Sequence, residues 1–92
     1  MDSSQATKTL RELAKKGCII ISRHCREQME KRNVTTEDIL HVLMWGSIKD
    51  IKKNDEHDNW KIEVKGKDLD GDKLTVQAAV NEEKRTIVIT VY

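Results

Sequence analysis

Apolar residues fall into two rhythms along this chain, a helical one before residue 46 and an alternating one after it. Ala6, Leu10, Leu13 and Ala14 recur at helical spacing and predict an amphipathic helix from Ser4 or Gln5 to Lys16, with Lys15 and Lys16 at its negative end and Gly17 as its stop. Cys18, Ile19, Ile20 and Ile21 form an unbroken run, the pattern of a strand covered on both faces. Ser22 is placed to cap a second helix from Arg23 to Arg32, whose buried side is thin, mainly Cys25 and Met29. A third helix begins behind Thr35, with Asp38 at the capping-box position and Val34 and Ile39 as a hydrophobic staple. Ile39, Val42 and Leu43 give it an apolar face, and Gly46 ends it.

The second half alternates with the period of strands. Ile48 and Ile51 do not share parity, so this segment is expected as a bulged strand or two short extended pieces, followed by a polar loop from Asn54 to Asn59. Trp60, Ile62 and Val64 alternate with Lys61, Glu63 and Lys65, and Leu74, Val76, Ala78 and Val80 repeat the pattern beyond an Asp70-Gly71 turn. In the closing run RTIVITVY, Thr86 to Val91 are all β-branched, as in an interior strand. Residues 1–92 therefore read as a single α+β domain of two layers, N-terminal helices on one face of a mostly antiparallel sheet of three to five strands.

Composition narrows the class. No apolar run approaches the ~20 residues of a membrane span, and the N-terminus lacks a signal-peptide core, so a cytoplasmic protein without membrane partners is expected. Cys18 and Cys25 sit at apolar positions and are expected to be reduced. The net charge is only +1. Its distribution is uneven: residues 1–34 carry eight Lys/Arg against four Asp/Glu, and residues 35–72 carry six against ten. That basic first third suits a local anion-binding face, though not an autonomous, strongly basic nucleic-acid binder.

Chemistry-bearing motifs are few. Asp68, Asp70 and Asp72 imitate the start of a calcium loop, but Lys73 stands where the sharp-turn glycine belongs and Ala79 replaces the bidentate glutamate. The histidines and cysteines lack paired zinc spacing, so no metal and no cofactor is expected. His24 is the candidate that remains. It opens a basic helix on which Gln28, Lys31 and Arg32 follow, and a neutral imidazole there suits a general base; equally, it suits a hydrogen bond that locks the helix to the sheet. Arg32 could clamp a phosphate or cap the last carbonyls of its helix. Trp60 fits the core, Tyr92 either a site or the sheet edge, and His41 and His57 are expected to be exposed.

The run S-x-H-x-x-x-x-M-x-x-R at Ser22, His24, Met29 and Arg32, the TTEDIL helix, the following Gly46 and the closing I-x-I-T-V-Y together resemble a family of small prokaryotic domains of unknown function. That family is grouped with the RelE/ParE and MqsR toxins. The resemblance implies a RelE-like fold and a type II toxin that cuts messenger RNA without metal, with a cognate antitoxin and RNA, ribosome-bound or free, as partners. It implies His24 as base or acid, Arg32 as phosphate clamp and Tyr92 as a substrate-contacting group, with Arg23, Arg26, Lys31, Lys61 and Lys65 as backbone contacts. Cys25, Gln28 and the Asn33-Val34 pair depart from the family's usual residues, and the missing arginine at Gln28 weakens a phosphate site. The competing reading is a non-catalytic binding module for a protein partner or nucleic acid, which keeps the fold without the activity.

Overall fold

The computed structural model describes residues 1–54 and 59–91, and the elements run α1 (Ser3–Lys15), β1 (Ile19–Ile21), α2 (Arg23–Arg32), α3 (Thr36–Trp45), β2 (Ser47–Asn54), β3 (Asn59–Lys67), β4 (Lys73–Asn81) and β5 (Thr86–Val91). The helix starts are set by short side chains that satisfy free backbone N–H groups. Asp2 caps α1 in a capping box with Gln5, which moves the start to Ser3, ahead of the expected Ser4 or Gln5. Ser22 Oγ accepts from Cys25 N at 3.1 Å to open α2, and Thr35 with Asp38 forms the expected box at α3.

Helix ends follow two devices, a left-handed residue after α1 and α2 and a close backbone approach after α3. Gly17 follows α1 at φ +71°, a left-handed conformation that costs glycine little. Asn33 ends α2 in the same region at φ 59°, and Val34 N donates back to Met29 O at 2.9 Å. Gly46 works differently, because its φ is −76° and ordinary. A Cβ there would lie 2.6 Å from Val42 O and 2.9 Å from Lys65 O, so glycine is needed for the close approach of α3 to β3.

The strands form one open five-stranded sheet in the order β1-β5-β4-β3-β2. Neighbours are antiparallel except β1 and β5, which run parallel, so the sheet is mixed. β2 is a single strand with a register shift between Ile48 and Asp50, the bulge that the broken parity of Ile48 and Ile51 anticipates. The start and end of the expected polar loop, Asn54 and Asn59, belong to β2 and β3 and pair with each other. The rest of that loop, including His57, lies outside the described residues, as does Tyr92.

One face of the sheet holds the core. Ile62, Val64, Leu74, Val76, Ala78, Val80, Ile87, Ile89 and Val91 are buried there under Leu10, Leu13, Cys25, Met29, Ile39, Val42 and Leu43 of the helices. α3 packs on β3 and β4, α2 packs on β5, and α1 lies against α3. The other face carries no helix. β1 corrects the expectation of a strand covered on both faces: it is an edge strand, and Ile20 on the open face is 51% exposed. A run of three isoleucines cannot distinguish the two cases, because burial of the middle residue depends on whether a layer covers that face.

Candidate functional site

α2 displays its cations but does not gather them. Its buried side is Cys25 and Met29, so His24, Arg23, Lys31 and Arg32 all stand in solvent. His24 and Arg32 are eight residues apart, ~12 Å along the axis. None of the five main hollows among the described residues is lined by either of them. His24 also makes no hydrogen bond among them, so it does not lock the helix to the sheet, and Arg32 does not cap the carbonyls that Asn33 N–H serves. Arg23 meets Glu27 at 3.7 Å across an exposed surface, and Arg26 lines a separate hollow with Glu30, Asn33 and Thr35.

The cations on β3 lie on the opposite, helix-free face, and they split into two environments. Lys61 borders a mixed hollow with Asp50, Lys52, Glu63 and Gln77, where Lys52 pairs with Asp50 at 3.6 Å. Lys65 belongs to a different one, of about 500 Å³, lined by Lys49, Lys67 and Lys73 together with Ser47, Gly66, Leu74 and Thr75. No carboxylate borders it. Lys67 stands directly opposite Lys73 in the β3–β4 register, and Lys65 opposite Thr75. Like charges directly opposite on one sheet face destabilise the pair by roughly 0.2–1 kcal/mol. None of the four lysines forms an ion pair among the described residues.

The hairpin end that carries this cluster is held from below by α3. Asp38 is 6% exposed and accepts from Leu69 N at 2.9 Å, while its second oxygen accepts from Thr35 N at 2.9 Å and Thr35 Oγ1 at 3.0 Å. The Leu69 N–H first, and then the Thr35 N–H, hold its carboxyl below the usual carboxylate range. One turn on, His41 Nδ1–H donates to Lys67 O at 2.8 Å. His41 is thus partly buried and engaged, not the exposed residue its polar helix face suggested. Asp68 closes the turn itself, accepting from Asp70 N and Asp72 N at 2.9 Å each. Of the three aspartates, Asp68 supplies the side chain that shapes the turn, and no group of three or more His, Cys, Asp or Glu residues placed to hold a metal occurs among the described residues.

Both cysteines are free, and burial pushes the Cys25 thiol up, away from the reactive thiolate. Trp60 is partly buried against the core, with Lys53 Nζ 5.1 Å from its ring centroid. No helix is long and apolar enough to cross a membrane among the described residues.

A family model for a domain of unknown function (DUF4258) matches residues 21–92. The chain belongs to that family. The DUF4258 region starts at the end of β1 and takes in α2, α3 and β2 to β5, so both the α2 cations and the lysine hollow fall inside it. No curated protein matches the chain.

The sequence pointed to Lys65 but not to Lys49, Lys67 or Lys73. Lys67 and Lys73 flank the Asp-Gly turn and are neighbours only once the hairpin register is known; Lys49 joins them through the β2 bulge. Alternating strand parity was the one available signal, since it puts Lys65 and Lys67 on the polar face of β3.

Proposed function

We propose that this protein is a nucleic-acid-binding module that takes the sugar–phosphate backbone of a single strand, RNA by resemblance to toxin-type domains, on the helix-free face of its sheet. The observation that carries this reading is the hollow of Lys49, Lys65, Lys67 and Lys73, with no acid on its rim. Edge-strand protection accounts for lysines on β2, where they deter pairing with other chains. It does not account for Lys65, Lys67 and Lys73, which sit on inner strands and repel one another. A phosphate backbone relieves that repulsion and accepts from Ser47 and Thr75 as well.

The messenger-RNA cleavage of a type II toxin, with His24, Arg32 and Tyr92 as catalytic groups and a cognate antitoxin as partner, rests on the resemblance alone. His24 and Arg32 lie on α2, above the covered face of the sheet, and the lysine hollow opens on the other face. A strand seated in the hollow is not thereby brought to His24. The geometry favours binding over cutting.

Anisotropy with a labelled single-stranded RNA tests it. Four phosphate contacts give a salt slope of about −2.8, so raising salt from about 50 to 200 mM should weaken binding about 50-fold. Lys65→Glu, Lys67→Glu, Lys73→Glu together should remove most of the affinity and flatten that slope. Arg23→Glu with Arg26→Glu should change it little. Loss through the α2 pair but not through the lysines would transfer the site to α2, and an absence of binding by the folded wild type would remove the reading.

A further inference from the structure

The two edges of the sheet are built in opposite ways. β2 is protected: Lys49, Lys52 and Lys53 are exposed along it and a bulge interrupts its ladder. β1 has no charge, no proline and no bulge, only Ile19, Ile20 and Ile21. Its pairing with β5 fixes which backbone groups remain free. Ile87 N donates to Cys18 O at 3.0 Å, and in a parallel ladder this turns the N–H and C=O of Ile20 toward β5 and those of Ile19 and Ile21 away from it. No strand pairs with that outer side among the described residues.

The side chains beside this edge are apolar and exposed. Ile20 at 51% and Val88 at 39% lie opposite each other on the open face, and Ala79 continues the row onto β4. Charge gives the shelf a preference. Residues 13–26 contain no acid and hold Lys15, Lys16, Arg23 and Arg26; Glu12 meets Lys16 at 3.1 Å and Glu27 meets Arg23 at 3.7 Å, and Lys15 and Arg26 leave an excess of positive charge at each end of β1. Antiparallel pairing of two copies through β1 would bring the Lys16 end of one onto the Arg23 end of the other, like charge against like at both ends. An extended segment with an apolar, alternating centre and acidic ends avoids this and gains at both.

We propose that β1 is a strand-addition site for an acidic, apolar-centred segment of a protein partner, which pairs with the outward groups of Ile19 and Ile21 and sets an apolar side chain on Ile20 and Val88. The site is separate from the lysine hollow and stands whether or not RNA binds there.

The test is an NMR titration with a synthetic peptide of about nine residues, enough to cover β1 with a charged pair at each end. Its centre alternates valine and threonine, and its ends are acidic. The expected result is saturable binding with slowed hydrogen exchange at the Ile19 and Ile21 amides. Ile20→Lys, at an exposed position and with an unchanged melting temperature, should weaken it at least about tenfold. The same peptide N-methylated at alternate positions, and one with basic ends, should not bind. The triple lysine variant of the hollow should bind the peptide like wild type. Equal binding by the N-methylated peptide, or unchanged Ile19 and Ile21 amides at saturation, overturns the proposal. So does protection of those amides by concentrating the protein alone, which would make the occupant a second copy.

Discussion

At the scale of single residues, two positions concentrate more consequence than their neighbours. Gly46 is set by crowding and not by backbone conformation: an added Cβ meets two carbonyl oxygens and Val64 Cγ1 at 2.8 Å, none of which is the free end of a flexible chain. Gly46→Ala should therefore cost on the order of 2 kcal/mol and lower the melting temperature by roughly 8–16 °C. Asp38 acts through charge. Its folded-state carboxyl titrates below the ordinary value of 3.8 because Leu69 N–H and Thr35 N–H bond its ionised form. The stabilisation is hence fully present above that ordinary value and is lost as pH falls through the lower folded one. Asp38→Asn should be less stable than wild type at pH 7, by about 1–3 kcal/mol, with the gap closing in acid. Denaturant melts at pH 7 and near pH 3 measure it, and a gap constant with pH would contradict the assignment.

Between elements, the decisive join is α3 to the β3–β4 turn. Helix and turn are far apart in the chain, yet Asp38 holds Leu69 and His41 holds Lys67 O. Together they fix the hairpin end from which Lys67 and Lys73 project. His41→Ala should speed exchange of the amides around the turn. It should also weaken RNA binding up to about fivefold, as loss of one ~1 kcal/mol hydrogen bond would, although His41 does not line the hollow. Unchanged exchange at the turn would mean that Asp38 alone suffices to hold it. The elements themselves were largely legible in the sequence. The Thr35 box, the Ser22 cap, the stripe of Ala6, Leu10, Leu13 and Ala14, and the alternation in β3 and β4 all rest on neighbours within a few residues. The α1 start was misplaced by one or two residues because Asp2 and Gln5 cap it just outside the apolar stripe.

On the scale of the whole molecule, placing the helices on one side leaves an open sheet face that is apolar at the β1 edge and charged toward β2, with its charges sorted by position. Along β2 and β3 the rows run from Lys52 with Lys61, through Asp50 with Glu63, to the lysine hollow. An arrangement kept for binding leaves a thermodynamic mark. Lys67→Gln removes one side of the pair with Lys73 and should raise stability by about 0.2–1 kcal/mol while lowering RNA affinity. Calorimetry and anisotropy on the same variant read both. A fall in stability would show that Lys67 contributes to the fold and not to a ligand site.

The sequence by itself determined the α+β class, the Ser22 and Thr35 caps and the face of each inner strand, because all of these depend on periodicity and on contacts close in the chain. It offered His24 and Arg32 as a pair because spacing along a helix suggests a shared side. Only the tertiary structure decided that both stand in solvent with no shared hollow, that β1 is an exposed edge, and that Lys49, Lys65, Lys67 and Lys73 meet. Those facts are set by strand order and register, which join residues distant in sequence, and no local pattern encodes which strand lies beside which.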